Sequence, residues 1–114
     1  MVNYDFHLKR NDLSPALKYQ CQDEDNSPVD ITQNNEVRFI MESLQGNIIV
    51  EDDTSGSVTV VDSSEGIVKY EWQEGDTEKA GIFKAEWEVE YSDGKPETFP
   101  NYGKLIILIE EDLG

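Results

Sequence analysis

Between Phe83 and Tyr91 the chain alternates without a break. Phe83, Ala85, Trp87, Val89 and Tyr91 fall on one side, and Lys84, Glu86, Glu88 and Glu90 on the other. A repeat of two is the mark of a strand with one face buried and one wet. The same alternation sets Val68, Tyr70 and Trp72 against Lys69 and Glu71, and Leu17, Tyr19 and Cys21 against Lys18, Gln20 and Gln22. It sets Val37, Phe39 and Met41 against Arg38 and Glu42, with Ile40 breaking the pattern. Weaker alternation at Tyr4, Phe6 and Leu8, and short apolar runs at Ile48-Ile49-Val50 and Val58/Val60, predict further strands. Residues 29–32 read as extended.

Turn residues punctuate these segments. Asp23 to Pro28, Ser43 to Gly46, Asp52 to Ser57 and Ser63 to Gly66 are rich in Asp, Asn, Ser and Gly, which favour turns through local hydrogen bonds or left-handed backbone. Asp93-Gly94 is the strongest short signal for a hairpin. Residues 66–91 read as strand, acidic corner, strand: a hairpin-like pair that places Trp72 and Trp87 inside and a row of glutamates outside. The sum is roughly eight or nine short strands with no convincing helical window, the pattern of an antiparallel β-sandwich. A length of 114 residues predicts one such domain over 1–114, large enough to bury a core without disulfides or metal.

The last predicted strand, 104–110, departs from the others. Leu105, Ile107 and Ile109 fill one face, while Ile106 and Leu108 fill the other between Lys104 and Glu110. A strand apolar on both faces is either covered inside the fold or met by another chain. Lys104, Ile106, Leu108 and Glu110 are therefore the candidate interface residues. The two readings, internal cover by the N-terminal segment and a subunit interface, carry equal weight.

Charge narrows the function classes. Nine basic and twenty-five acidic residues leave a formal charge of −16. Such a field repels phosphate backbones and anionic lipid, so neither nucleic acid nor a membrane is expected as partner. Cys21 is the single cysteine; its parity makes it a small core residue, and no intrachain disulfide can form. The first dozen residues hold no apolar run of the kind a secretory signal needs.

Catalytic sets are wanting. His7 is the one histidine, with no nucleophile placed beside it in the sequence, and no Ser-His-Asp, Cys-His or G-x-S-x-G arrangement is present. No enzyme activity, cofactor or metal site is predicted. Asp23-x-Asp25-x-Ser27 has the oxygen spacing that opens a calcium loop, but Pro28 stands where glycine is needed and Asn34 where a bidentate Glu belongs. Glu51-Asp52-Asp53 and Glu74/Asp76 would share a cation only if the fold joined them. Asp76 or Thr77 reads instead as a cap that accepts backbone N–H bonds in the corner. That corner, with Asp76, Ala80-Gly81 and an aromatic, is comparable to the corner between strands E and F of immunoglobulin-like sandwiches. Phe83 has no hydroxyl to make the tyrosine-corner hydrogen bond.

Several segments together resemble one family. They are 5–17 (DFHLKRNDLSPAL), Pro28-Val29-Asp30-Ile31-Thr32, Glu36-Val37-Arg38-Phe39-Ile40-Met41, 66–72 (GIVKYEW), Gly75-Asp76-Thr77, 80–87 (AGIFKAEW) and Glu97-Thr98-Phe99-Pro100-Asn101. In order they cover nearly the whole chain. They are similar to the immunoglobulin-like N-terminal domain of phage baseplate upper proteins and related small tail proteins of tailed phages. The resemblance implies an immunoglobulin-like antiparallel β-sandwich without catalytic residues. It implies a phage virion structural protein of the tail, baseplate or fibre attachment, assembled in the host cytoplasm. Its partners would be other virion proteins or further copies of itself. A module binding a carbohydrate or protein of the host surface, and a head decoration protein, are the alternatives.

Overall fold

The computed structural model describes residues 4–113. Nine strands follow one another: β1 (Phe6–Lys9), β2 (Leu17–Gln20), β3 (Asn34–Ser43), β4 (Ile48–Asp53), β5 (Val58–Asp62), β6 (Ile67–Tyr70), β7 (Gly81–Tyr91), β8 (Pro96–Phe99) and β9 (Leu105–Glu110). The described residues contain no helix. Six strands form one sheet in the order β1-β9-β7-β3-β4, with β8 also paired to β7, and three form the other in the order β2-β6-β5. The fold is an all-β, immunoglobulin-like sandwich, antiparallel except where β1 lies parallel to β9.

The period-two segments put their apolar sides between the sheets. Phe39 is at the centre, with ring centroids 4.8 Å from Tyr70 and 4.8 Å from Trp87. Trp72 stands edge-on to Tyr70 at 5.3 Å. Met41, Val37, Val68, Val89, Ile107, Phe99 and Cys21 are among the other buried residues of this core. The indole N–H groups of Trp72 and Trp87 meet no acceptor among the described residues, so these rings contribute through packing alone.

Three features differ from the sequence reading. The 66–91 stretch is not a hairpin-like pair. Strand β6 uses both of its edges on β2 and β5, while β7 pairs with β3 on one side and with β8 and β9 on the other. The acidic corner therefore carries the chain from one sheet to the other, and Trp72 and Trp87 face a shared core across the gap. Strand β8 was not expected, because Pro96 opens it and Pro100 follows it. Pro96 occupies the first position, where a missing N–H is tolerated. Residues 29–32 join no sheet; Ile31 is nonetheless fully buried and its N–H is bonded to the carbonyl of Ser63 at 2.8 Å.

The Ser63–Gly66 turn joins β5 to β6 with Gly66 at φ +68°, and a Cβ there would lie 2.4 Å from the carbonyl oxygen of Val29. Only glycine fits both the backbone angle and the close approach. The hairpin at Asp93-Gly94 forms as read, with Tyr91 N–H bonded to Lys95 C=O at 2.9 Å.

Candidate functional site

The acidic corner is built around one carboxylate. Asp76 Oδ2 accepts the Tyr70 hydroxyl at 2.6 Å and the Gln73 backbone N–H at 2.8 Å. Burial, and then the neighbouring Asp76, hold the Tyr70 phenol well above the ordinary tyrosine range. Among the described residues Thr77 is the one buried polar side chain; its hydroxyl donates to the Asp12 carbonyl at 3.0 Å, and Asn11 N–H returns a bond to the Thr77 carbonyl at 2.9 Å. The corner thus ties the 10–13 connector to the turn between the sheets. Of the two caps read, Asp76 accepts one backbone N–H, from Gln73, and Thr77 donates its hydroxyl instead. The hydroxyl that Phe83 lacks is supplied from the strand before the corner, by Tyr70, which the sequence reading had placed only in the core.

The other acidic loops follow the same economy. Asp23 Oδ1 accepts the N–H groups of Asp25 and Ser27 at 2.9 and 3.1 Å. Asp52 receives those of Asp53 and Ser57 at 2.8 and 3.0 Å. Asp53 and Asp30 each accept both the hydroxyl and the N–H two residues on, from Ser55 and Thr32, and these bonds hold both carboxyls below the usual range. Among the described residues no group of three or more His, Cys, Asp or Glu could hold a metal ion. Cys21 is fully buried and its thiol is pushed up to about 12, first by burial and then by Glu97. His7 lies opposite Leu108 on the edge strand.

The outer face of the six-stranded sheet is where the candidate interface residues gather. Ile106 sits opposite Lys84, and Leu108 opposite Ile82 on one side and His7 on the other. Ile40 projects from β3 beside Glu86. Ile40, Ile82, Ile106 and Leu108 are each half-buried, with no layer of the described chain over them. Strand β1 covers the edge of β9 and not this face, so of the two explanations for a doubly apolar strand the internal one accounts only for the edge. Lys104 pairs with Glu86 and Glu110 with Lys9.

Around these side chains the surface is strongly charged. Arg38 bridges Glu51 and Glu88 across three strands at 3.4 and 3.3 Å, and Lys84 pairs with Glu42 at 3.3 Å. The Glu36 carboxyl is raised, by desolvation first and then by Asp53 and Glu90. At the end of the sheet Ile82 also lines a mixed groove of about 390 Å³, where Leu44, Ile49 and Phe83 meet Ser43, Asn47 and Lys79. Leu44 and the neighbouring Ile48 are more than half exposed, at 56% and 58%. The sequence reading missed Ile82, Leu44 and Ile48. The outward parity of Ile82 beside Lys84 and Glu86 was the available signal for the first; Leu44 sits in a turn and Ile48 opens β4 within an unbroken apolar run, so alternation says nothing of either.

No family model matches the chain, and no curated protein matches its sequence. Among solved structures, CopC from Methylosinus trichosporium OB3b matches over 98% of this chain and 89% of its own, with a TM-score of 0.56 and 12% sequence identity. That likeness is one of fold. It corrects the functional expectation: the match is a bacterial CopC and not a virion component. The role of phage virion structural protein, with its alternatives of host-surface binding module and head decoration protein, is withdrawn. The physical reason lies in the residues that carried the resemblance. Trp72, Trp87 and Phe83 are core, and Asp76 and Thr77 close the corner between the sheets. Side chains used in that way report how a sandwich is held together, and a fold hosts many unrelated functions.

Proposed function

We propose that the chain is a non-catalytic module that docks a protein partner of net positive charge on the outer face of its six-stranded sheet. The observation that carries this reading is the half-buried apolar group Ile82, Ile106 and Leu108 on that face, with Ile40 beyond Lys84 and Glu86 and carboxylates around them. An apolar centre with a charged rim is the usual anatomy of a protein contact surface. The formal charge of −16 selects the partner: a basic surface is drawn in, while a second copy with the same charge is repelled unless salt screens the two.

The face can be separated from the core experimentally. A photoreactive residue at position 82 should give a discrete adduct with a basic protein in extracts of cells that produce the chain; one at Lys18, on the smaller sheet, should not. The double substitution Ile106→Lys/Leu108→Lys should abolish the adduct while changing unfolding free energy by no more than about 1 kcal/mol. Equal adducts from both positions, an adduct made only with a second copy, or a loss of stability matching the loss of adduct would each defeat the proposal.

A further inference from the structure

A second concavity opens on the side of the sandwich, away from the outer sheet face. It is a cleft of about 260 Å³ between the Asp23 turn that follows β2 and the loop joining β8 to β9. Its walls are aromatic and apolar: the rings of Tyr19, Tyr102 and Pro100. Tyr19 is half-buried and its ring lies parallel to that of the core Trp87, at 8° with centroids 6.1 Å apart. The core thus holds this wall in place. Tyr102 is 96% exposed, a large ring with little of the fold packed against it. Asn101 fixes the loop beneath it by donating from its side-chain amide to the Thr98 carbonyl at 2.8 Å.

The polar rim of the cleft is anionic. Asp23 and Glu24 line it, and no Lys or Arg does. Asp23 closes its turn through Oδ1, which leaves Oδ2 without a hydrogen bond among the described residues; Glu24 has neither hydrogen bond nor ion pair there. Elsewhere on the molecule lysines and arginines lie against acidic neighbours, as at Arg38 and Lys84. Tyrosine rings attract a cation through their quadrupoles, the flanking carboxylates add direct attraction, and the apolar lining suits methylene groups.

We propose that this cleft binds an alkylammonium group, its methylenes against Tyr19 and Tyr102 and its charge facing Asp23 and Glu24. A neutral ligand of the same shape would desolvate the two carboxylates without compensation. The site shares no residue with the outer sheet face, so it stands or falls apart from the docking proposal.

The test is a titration of isotopically labelled full-length chain with butylammonium chloride, followed by backbone amide shifts at constant ionic strength. Saturable shifts are expected at Tyr19, Glu24, Asn101 and Tyr102. Tyr102→Ala should weaken binding about threefold to fivefold, as expected for an exposed cation–π contact, and Glu24→Gln about threefold. Both side chains are exposed, so melting temperatures serve as the control for folding. A capped tripeptide with a central lysine separates two sources of the same chemistry: tighter binding than butylammonium identifies a protein side chain, and equal binding a free amine. Equal shifts with 1-pentanol, shifts spread evenly over all acidic loops as with sodium, or unchanged affinity in Tyr102→Ala would overturn the assignment.

Discussion

Replacing Tyr70 with Phe tests the account of the corner most directly. The substitution removes one oxygen and leaves the ring, which stays stacked on Phe39 and edge-on to Trp72. What is lost is the 2.6 Å bond to Asp76 Oδ2, made by a hydroxyl on a side chain only 1% exposed. A hydrogen bond to an ionised partner contributes about 1.5–3 kcal/mol net. Asp76 keeps the Gln73 N–H and has access to water, so the lower half of that range applies, about 1.5–2 kcal/mol. For a domain of this size that is a fall of roughly 6–8 °C in melting temperature. Urea unfolding should show a lower midpoint with an unchanged slope. Asp76→Ala should cost more, since it also frees Gln73 N–H, and the double variant should fall short of the sum by about 1 kcal/mol or more. A loss below about 0.5 kcal/mol for Tyr70→Phe, or strict additivity in the cycle, would refute the view that this bond locks the crossing between the sheets.

Other outcomes follow from the core and the turns. Trp87→Ala should cost about 3–5 kcal/mol in chemical denaturation because the ring is fully buried between Phe39 and Tyr19; a value near 1 kcal/mol would mean the site collapses around the gap. Gly66→Ala should destabilise by about 1–3 kcal/mol from backbone angle alone, more if the Val29 carbonyl cannot move, and the melting temperature reports it. The Cys21 thiol, raised to about 12 in the folded chain from 9.0, gives an alkaline limit. Below pH 9 both folded and unfolded thiols are protonated and the contribution is complete. As pH rises from 9 towards 12 the unfolded thiol ionises first, so stability falls across that window. Urea midpoints at pH 8 and 11 should show this fall, lessened in Cys21→Ala.

Much of the sandwich could be read from parity. Val37, Phe39, Met41, Phe83, Ala85, Trp87, Val89, Ile107 and Ile109 are all buried where alternation put them, because a one-residue slip would turn each to water. Which strands pair was not legible, since alternation fixes faces and says nothing about neighbours. So β6 and β7, joined by a corner that looked like a turn, belong to different sheets. The candidate interface was half legible. Ile106 and Leu108 stood out as apolar residues on a wet parity, but Ile82 joins them from β7, and Ile40 of β3 stands on the same face beyond Lys84 and Glu86. Assembly of the interface depends on register across three strands, which no single window contains. The bond from Tyr70 to Asp76 was hidden for a related reason. Inward parity makes a tyrosine look apolar, and its hydroxyl finds its partner only once the chain has crossed.

The parallel pairing of β1 with β9 also bears on how the chain avoids misassembly. Strand β9 is five aliphatic residues ending in Glu110, the kind of segment that stacks into amyloid when its edge is bare. In the folded chain that edge is occupied by Phe6–Lys9, anchored at its start by Asp5 N–H to the Ile106 carbonyl at 2.8 Å and by Ile106 N–H to Asp5 Oδ2 at 2.7 Å. The exposed rim of the sheet then becomes a short strand that carries His7 and Lys9, which is poor template for further growth. Four residues at one end of the sequence act as gatekeeper for the most aggregation-prone segment at the other. Detaching them would leave the β9 edge bare, with only the charge of the chain to oppose pairing with another copy.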